Sequence, residues 1–468
     1  MIKLIKTSLL FSATALSLSM LSACENKDSD SNAENAIAAF PSTYTPVESQ
    51  AVLITNAHIV DGIGGDIENG SLFLLDGKIA GIGADIDLGD TEPLRIDAKG
   101  AWVTPGVIDV HSHLGVYALP NVRAHSDGNE VTSPITAEVF AEHSVNPQDP
   151  GFSEALANGV TTLHILPGSA NLFGGRGVTL RNIASRTVQG MKMPNAPYTL
   201  KMACGENPKR VYKSRGGPGS RMANFSHYRK NWIKAQGYKA KLEKGELKPG
   251  DRNLQLETLA GVLSGDILLQ MHCYRADEMA QVLDMAKEFG YKVTTFHHAV
   301  EAYKIPDLLK EADTCAAMWA DWWGFKMESY DGIRENIPFV HAAGACALIH
   351  SDDPTGIQHL NQEIAKTWAH GNRAGLDISK ADAWRWISSN PAKAIGIADQ
   401  TGSLEIGKRA DVVVWNGDPF SSYTKARKVF IDGALLYDRD TGMKPTSDFL
   451  IGQPGQESIR KSLSGAGE

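Results

Sequence analysis

Two histidines separated by one residue, His111 and His113, follow an apolar run that begins at Val107. The run predicts a buried β-strand, and residues i and i+2 of a strand point to the same side. Both imidazoles should therefore face one point just past the end of this strand. Two imidazoles on one point are a typical start of a metal site, although such a pair also occurs on ordinary surfaces.

Further polar positions follow predicted strands later in the chain. His272, the adjacent pair His297 and His298, and Asp352 each come directly after an apolar strand candidate. Enzymes built on α/β barrels carry their active sites at the carboxyl ends of the strands. One such residue alone is more often structural, but their recurrence in one alternating segment favours a shared site.

The segment that must position these residues runs from about residue 106 to residue 397, where predicted strands and helices alternate. Residues 276–289, for example, place their apolar side chains on one helical face. Repeated units of this kind predict an α/β fold with a parallel sheet, either a barrel or a doubly wound sheet. No Gly-x-Gly-x-x-Gly opens a helix after the first strand, which disfavours dinucleotide binding.

Short strands and turns flank this segment on both sides, at residues 47–105 and 398–440. Asp76-Gly77 and Asp432-Gly433 are typical hairpin turns between apolar runs. Neither flank is large enough to build its own core. We therefore expect the two chain ends to pair into one small β-sandwich.

Composition restricts the class of protein. The chain has 468 residues, of which 42% are hydrophobic, so a large core is expected. The net charge of −8 is spread along the chain without a basic block. A nucleic-acid partner is therefore not expected, and a small-molecule substrate is.

The start of the chain predicts export. Residues 1–24 combine a basic beginning with an apolar stretch at 9–21 that is too short for a permanent membrane span. They end in Leu-Ser-Ala-Cys, which resembles a bacterial lipobox and implies lipidation of Cys24; an ordinary signal peptide is the alternative. Residues 25–46 are polar like a flexible tether, and 441–468 form a tail. The mature protein is expected on a membrane surface of the cell envelope, facing the periplasm in a Gram-negative source.

The remaining cysteines lie in or beside apolar runs, and none has a Cys-x-x-Cys spacing. They are Cys204, Cys273, Cys315 and Cys346. Buried free thiols are the prediction, with disulfide bonds left open.

Taken together, the motifs resemble the amidohydrolase superfamily, in its branch of imidazolonepropionase-like and prolidase-like enzymes. The resemblance covers roughly residues 52–437. Its segments are residues 105–113, 159–162, 298–304, 351–352, 390–392 and 402–411, together with His272. It implies a (β/α)₈ TIM barrel, a β-sandwich made from both chain ends, and a hydrolytic site with one or two divalent ions, zinc being the expected metal.

The resemblance also assigns roles residue by residue. The implied metal ligands are His111, His113, His272, His298 and Asp352. His298 is preferred over His297 because the following Glu-Ala-Tyr-Lys run lies at the family's offset. A bridging ligand is expected on the fourth barrel strand, either Lys201 in carboxylated form or Glu206.

Substrate contacts are expected around the same strand ends. A basic loop after the fourth strand includes Arg221, and arginine binds carboxylates through two hydrogen bonds; a solvated run of charges is the alternative. Tyr274 and Arg275 stand beside His272. The glycine-rich residues 167–177 either bring backbone N–H groups close to a ligand or form a plain loop.

These expectations define a function. We predict a metal-dependent hydrolase of an amide or peptide C–N bond in a small substrate, such as a dipeptide or an N-acyl amino acid. Asp352 would take a proton from the attacking water and return it to the leaving nitrogen. The alternatives are a cyclic amidase, lactonase or deaminase of the same superfamily, or a non-catalytic binding lipoprotein. The sequence leaves a homo-oligomer open.

Overall fold

The structure is a computed structural model that describes residues 41–322 and 324–443. The predicted leader with Cys24, most of the predicted tether and residues 444–468 of the predicted tail lie outside these residues. Within the described part, no helix has both the length and the apolar character that are needed to cross a membrane.

The described residues form sixteen strands and eleven α-helices. The strands are β1 (Val52–Val60), β2 (Asp66–Leu75), β3 (Lys78–Gly83), β4 (Leu94–Asp97), β5 (Trp102–Pro105), β6 (Val107–Ser112), β7 (Val160–Ile165), β8 (Phe173–Arg181), β9 (Thr199–Ala203), β10 (Leu268–Cys273), β11 (Val293–His298), β12 (Cys315–Met318), β13 (Ala347–Ile349), β14 (Val412–Trp415), β15 (Ala426–Ile431) and β16 (Ala434–Asp438). The helices are α1 (Pro150–Leu156), α2 (Val188–Met191), α3 (Glu206–Tyr212), α4 (Arg221–Glu243), α5 (Leu254–Ser264), α6 (Ala276–Phe289), α7 (Pro306–Glu311), α8 (Asn336–Ala342), α9 (Leu360–Arg373), α10 (Lys380–Trp384) and α11 (Ser389–Ala394).

The two chain ends pair with each other, as predicted, and their strands belong to one eight-stranded sheet. Its strand order is β16-β15-β14-β5-β1-β2-β3, and β4 pairs with β1. The join between the two ends is the antiparallel pair β5–β14, in which Thr104 faces Val413. The sheet carries a core of its own because Ile54, Leu72 and Phe430, which come from distant strands, pack in one buried cluster.

The second sheet, β6 to β13 in sequence order, is a nearly closed barrel of the TIM type. At the seam between its first and last strands, the backbone N–H of Asp352 donates to the carbonyl oxygen of His111 at 2.9 Å. The predicted fold class is confirmed with one local difference. Strand β8 runs antiparallel to both β7 and β9, so seven strands are parallel and one is inverted.

The second half of the glycine-rich segment 167–177, residues 173–177, belongs to strand β8 and not to a loop. All nine residues of β8 are buried, and a strand buried on both faces lacks the alternation that reveals a strand in sequence. Its glycines permit close packing, since a Cβ atom on Gly177 would lie 2.6 Å from Thr199 Oγ1.

The helix predicted at 276–289 is confirmed as α6, with Met279, Val282 and Leu283 buried against the barrel. The prediction of free thiols is wrong, because Cys204 is bonded to Cys273 and Cys315 to Cys346. The first pair lies at the ends of the adjacent strands β9 and β10, where the Cα atoms are 5.2 Å apart. Sequence could not show this proximity, since 69 positions separate the two cysteines.

Candidate metal centre

His111 and His113 converge at the end of β6, as the strand alternation predicts. Their Nε2 atoms are 3.3 Å apart. Asp352 reaches the same point from the seam, with Oδ1 at 3.4 Å from His111 Nε2 and 3.2 Å from His113 Nε2. The other ring nitrogen of His113, Nδ1, lies 2.9 Å from the carbonyl oxygen of Leu166, which fixes the ring. Two imidazoles and one carboxylate therefore surround one point at the barrel mouth.

A second group of imidazoles shares His111. Ligand atoms of His111, His298 and His350 lie within 4.8 Å of one another, as do those of His111, His113 and Asp352. The ring of His272 approaches from β10, with its centroid 4.6 Å from that of His298. The structure thus brings all the predicted histidine ligands together, and it adds His350.

Lys201 is also part of this cluster. Its side chain is fully buried and its Nζ lies 3.2 Å from His111 Nε2. Burial lowers the pKa of Lys201 to about 7, against a weaker opposing effect of Asp352. A large share of this amine is therefore uncharged at neutral pH, which is the form that can react with carbon dioxide to give a carbamate.

Glu206 is not brought into the cluster. It is the first residue of α3, and its Oε1 lies 3.4 Å from Lys326 Nζ. Of the two residues expected to provide a bridging ligand, the geometry favours Lys201.

His297 is engaged inside the barrel. Its Nδ1 lies 2.9 Å from His111 Nδ1, and its Nε2 lies 2.7 Å from Gln270 Oε1. His298 Nδ1, in contrast, has no hydrogen-bond partner although it is buried. This difference supports the preference for His298 as a ligand.

The donor set fits a divalent cation. Buried ring nitrogens without a partner include His272 Nδ1 and both nitrogens of His350. Leaving buried polar atoms unpaired costs free energy, and a cation would satisfy them. Burial is also the main reason why the pKa values of His111, His272 and His298 lie well below the usual range. These imidazoles are therefore neutral at pH 7, which is the form that binds metals.

Asp109 fixes the seam beside the cluster. Its carboxylate accepts hydrogen bonds from the backbone N–H groups of His111 and Ser351, each at 3.2 Å, and from the Ser351 hydroxyl. Burial raises the pKa of Asp109 to about 6. This residue positions His111 on β6 relative to the Asp352 segment.

Only one of the expected substrate contacts lies at the cluster. Tyr274 is buried, with its ring centroid 4.8 Å from that of His272 and 5.3 Å from that of His298. Arg275 instead pairs with Asp277 at 2.9 Å near the surface. Arg221 is held by Glu278 and Glu328, so its guanidinium is already neutralised and does not reach the imidazoles.

Two further residues of the site, His350 and Trp319, were not predicted from the sequence. His350 stands two positions before Asp352, as His111 stands two positions before His113, and this repeated spacing could have indicated His350. Trp319 stacks on His298 with centroids 4.3 Å apart and carries no spacing signal of its own. It lines a small recess next to His298, together with Val300 and Trp322.

Comparison with known proteins agrees with this geometry. The sequence profile of the amidohydrolase family matches residues 331–436. The crystal structure of an amidohydrolase from Thermotoga maritima MSB8 is 33% identical and superposes with a TM-score of 0.76, covering 83% of this chain and 100% of that chain.

Two curated relatives extend the comparison. The amidohydrolase tasK of Hapsidospora irregularis is 30% identical over 368 residues, which is 73% of this chain but only 37% of that protein. The imidazolonepropionase of Mesorhizobium japonicum is 24% identical over 404 residues, covering 78% of this chain and 90% of that protein.

Fold and site together define a metal-dependent hydrolase built on a TIM-type barrel. The chain belongs to the amidohydrolase superfamily and is an enzyme that acts on carbon–nitrogen bonds.

Proposed function

We propose that this enzyme hydrolyses the amide or peptide C–N bond of a small substrate, such as a dipeptide or an N-acyl amino acid, with zinc as its metal. The observation that carries the proposal is the position of Asp352. Its carboxylate lies 3.2 to 3.8 Å from ring nitrogens of His111, His113 and His298 at the barrel mouth.

Two groups of residues would hold the metal. His111, His113 and Asp352 suit one ion, and Lys201, His272 and His298 suit a second position beside it. Imidazole nitrogen and carboxylate oxygen are ligands that zinc accepts. When bound, the cation supplies a Lewis acid that polarises a carbonyl group and makes water more acidic.

Asp352 would move the proton. Burial raises the pKa of its carboxyl group, but hydrogen bonding to His113 and the electrostatic effect of His113, His350 and Lys201 bring the pKa below its usual range. The group is therefore ionised at neutral pH and can accept a proton from water, then return it to the leaving nitrogen. Its side chain is 24% exposed, so solvent and substrate can reach it.

A small recess beside His298 lies next to the candidate metal cluster. Trp319 and Val300 form part of its lining. A substrate bound at the cluster would contact these side chains.

We also propose that the enzyme is exported and attached to a membrane surface through lipidated Cys24. The two disulfide bonds support export, because such bonds persist mainly in oxidising compartments. Replacing Cys24 by serine in the native host should move the protein from the membrane fraction to the soluble fraction. Retention of Cys24→Ser in the membrane fraction would contradict the anchor.

The test of the catalytic proposal combines metal analysis with a double variant. Purified enzyme should carry one or two zinc ions per chain, and chelation should abolish hydrolysis of a dipeptide and N-acyl amino acid library. His111→Ala with His113→Ala should remove both metal and activity. His58→Ala with His227→Ala is the matched control, since both histidines lie away from the cluster, and it should retain both. Full activity of the first variant would overturn the proposal.

A further inference from the structure

Lys326 points inward from the loop that follows β12. Its Nζ lies 3.2 Å from Asn207 Oδ1 and 3.4 Å from Glu206 Oε1. The same atom stands 4.1 Å from the centroid of the Tyr274 ring. The side chain is only 20% exposed, so a positive charge is held at the mouth of the barrel.

This charge is one residue away from the candidate metal cluster. Asn207 Nδ2 lies 3.4 Å from His272 Nε2 and donates to Ser169 Oγ at 2.9 Å. Tyr274, on the other side of Lys326, packs against His272 and His298. A ligand that contacts the cluster and extends toward α3 therefore meets the Lys326 ammonium.

The ammonium is less fully engaged than its neighbour Arg221. Lysine has three N–H donors, and the two oxygen contacts of Lys326 lie at or beyond the long end of the usual hydrogen-bond range. Its carboxylate partner Glu206 is 34% exposed and can turn toward water. Arg221 is instead paired with Glu278 and Glu328, whose side chains are 2% and 6% exposed.

The aromatic surroundings strengthen binding at this point. Tyr274 and Phe325 both lie beside the ammonium, and apolar walls lower the local dielectric constant and strengthen an ion pair. An ammonium of this kind selects a compact anion such as a carboxylate.

Resting on the proposed function, we propose that Lys326 and Asn207 form a carboxylate subsite. The substrates are then amides that carry a free carboxylate, and that carboxylate replaces Glu206 on the Lys326 ammonium. Uncharged analogues of the same size lack this interaction and bind more weakly.

The test compares an acid with its amide. Glycyl-L-phenylalanine and glycyl-L-phenylalanine amide differ only in the terminal group, which is a charged carboxylate in the acid and an uncharged carboxamide of similar size in the amide. Wild-type enzyme should have the lower KM for the acid. Lys326→Met should raise this KM about tenfold, as expected for the loss of a hydrogen bond to a charged group, while kcat and the KM for the amide change little. Lys326→Arg should restore part of the preference for the acid.

A matched control separates recognition from anchoring of the loop. Lys304 Nζ lies 2.8 Å from a carboxylate oxygen of Asp331, which is on the same loop as Lys326. Lys304 itself does not contact the cluster. Lys304→Met should leave the ratio of the two KM values at its wild-type level. Glu206→Gln should lower the KM for the acid because it removes the competing carboxylate. If Lys326→Met raises both KM values equally, Lys326 only anchors the loop and the proposal is overturned.

A binding measurement separates the subsite from the reaction. Tryptophan fluorescence can report binding because Trp319 stacks beside Tyr274, which contacts Lys326. The centroids of the Trp319 and Tyr274 rings are 6.1 Å apart. L-Phenylalanine should bind more tightly than L-phenylalanine amide to wild-type enzyme, and Lys326→Met should abolish the difference. If wild type shows this difference but hydrolyses no dipeptide, the subsite stands and the proposed reaction fails. If it hydrolyses dipeptides but Lys326→Met keeps the preference for the acid, the subsite fails alone.

Discussion

His298 and Asp352 both adopt a left-handed backbone conformation, with φ of 71° and 58°. For residues other than glycine this conformation costs about 1–2 kcal/mol, and such residues concentrate at functional sites. At His298 the turn ends β11 and lets two consecutive histidines both face the barrel interior. Strand alternation alone would have turned one of them outward, so the strained residue completes the cluster.

At the scale of one residue, Asp352→Asn tests proton transfer. An amide of the same shape cannot accept a proton from water, so kcat should fall by about 10²- to 10⁴-fold. The free energy of unfolding should change little, and bound metal should be largely retained because an amide oxygen remains. Steady-state kinetics, metal analysis and urea unfolding of the same preparation check these three expectations. Turnover near the wild-type rate would exclude Asp352 as the proton carrier.

His164 offers a test of pH dependence away from the metal cluster. Its ring nitrogens lie 3.0 Å from Thr179 Oγ1 and 2.8 Å from Thr199 Oγ1. Burial, assisted by the charge of Lys201, lowers the pKa of His164 to about 3. In the unfolded chain the pKa is about 6.5, so the unfolded state binds the extra proton between these values. The contribution of His164 to stability is present above about pH 6.5 and is lost as the pH falls, by about 2 kcal/mol at about pH 5.

His164→Gln should remove this contribution to the pH dependence. Urea unfolding of the metal-free protein at neutral pH and at about pH 5 measures the difference. The variant should lose less stability on acidification than the wild type, although it starts lower. An equal loss in both proteins would mean that His164 is not buried in neutral form.

Residue types and spacing were enough to find the centre of the site. His111 and His113 are visible because strand alternation is a local property. The left-handed turn at His298 and the seam contact of Asp109 with Ser351 depend on strands that are far apart in sequence. Lys326 could not be identified as a site residue, because only the course of its loop brings it to Tyr274.

At the scale of elements, the disulfide bond between Cys204 and Cys273 joins β9 to β10 directly beside His272. It closes a loop of 69 positions. Cys204→Ala with Cys273→Ala should lower the free energy of unfolding by about 4 kcal/mol, because the unfolded chain gains conformational entropy. The same variant should bind metal more weakly, since Cys273 fixes the backbone next to His272. Urea unfolding and a metal titration measure both effects.

The control for that variant is the second disulfide bond. Cys315 and Cys346 close a shorter loop of 31 positions, and neither adjoins a candidate ligand. Cys315→Ala with Cys346→Ala should destabilise the fold by a similar amount without a comparable loss of metal affinity. Equal losses of metal affinity in both variants would show that general destabilisation, and not the position of His272, is responsible.

Among the elements, the strands with continuous apolar runs were predictable and the glycine-rich strand β8 was not. The apolar runs of β1, β7 and β10 are visible in sequence. In β8, Gly174, Gly175 and Gly177 look like a loop, and only contact with β7 and β9 makes them a strand. The inverted direction of β8 follows from a short connection that carries no helix, which sequence periodicity cannot reveal.

At the scale of the whole molecule, a buried ion-pair cluster fastens the barrel to the terminal sheet. Arg181 lies on β8 and pairs with Asp411, which precedes β14, and with Asp432, which lies between β15 and β16. Tyr44 donates to Asp432, and Thr401 donates to Asp411 at 2.6 Å. Arg409 also pairs with Asp432, at 2.8 Å, so the two carboxylates have two guanidinium partners, and Arg181 is the one that comes from the barrel.

Arg181→Met should destabilise the protein strongly. It leaves the Asp411 carboxylate buried without its main partner, which costs about 3–5 kcal/mol. Arg427→Met is the matched control, because Arg427 pairs with Asp440 at the surface, and exposed pairs contribute at most about 1 kcal/mol. Chemical unfolding of both variants measures the difference. Equal effects would show that the cluster does not hold the two sheets together.

The same cluster also predicts how the stability of the protein changes at acidic pH. Burial raises the pKa of Asp411, but the charge of Arg181 together with hydrogen bonds from Arg181, Thr401 and the backbone of Asp432 outweighs burial and brings the pKa below its usual value of 3.8. The stabilisation by Asp411 is therefore present above about pH 3.8 and is lost as the pH falls further. In Arg181→Met this acid-dependent loss should be absent, which unfolding curves in acidic buffers would detect.

The pairing of both chain ends was predictable from repeated strand and Asp-Gly turn patterns, whereas the Arg181 cluster was not. The pairing also has a consequence for the time at which the molecule can fold. Strand β5 finds its neighbour β14 only after more than three hundred further residues have been made, as the bond from Trp415 Nε1 to Thr104 Oγ1 across 311 positions illustrates. Contacts of such long sequence separation form late and slowly. A ribosome therefore releases nearly the entire chain before its first strands can be completed, and this delay is compatible with the export that we propose, in which a chain is threaded through a translocation channel before it folds.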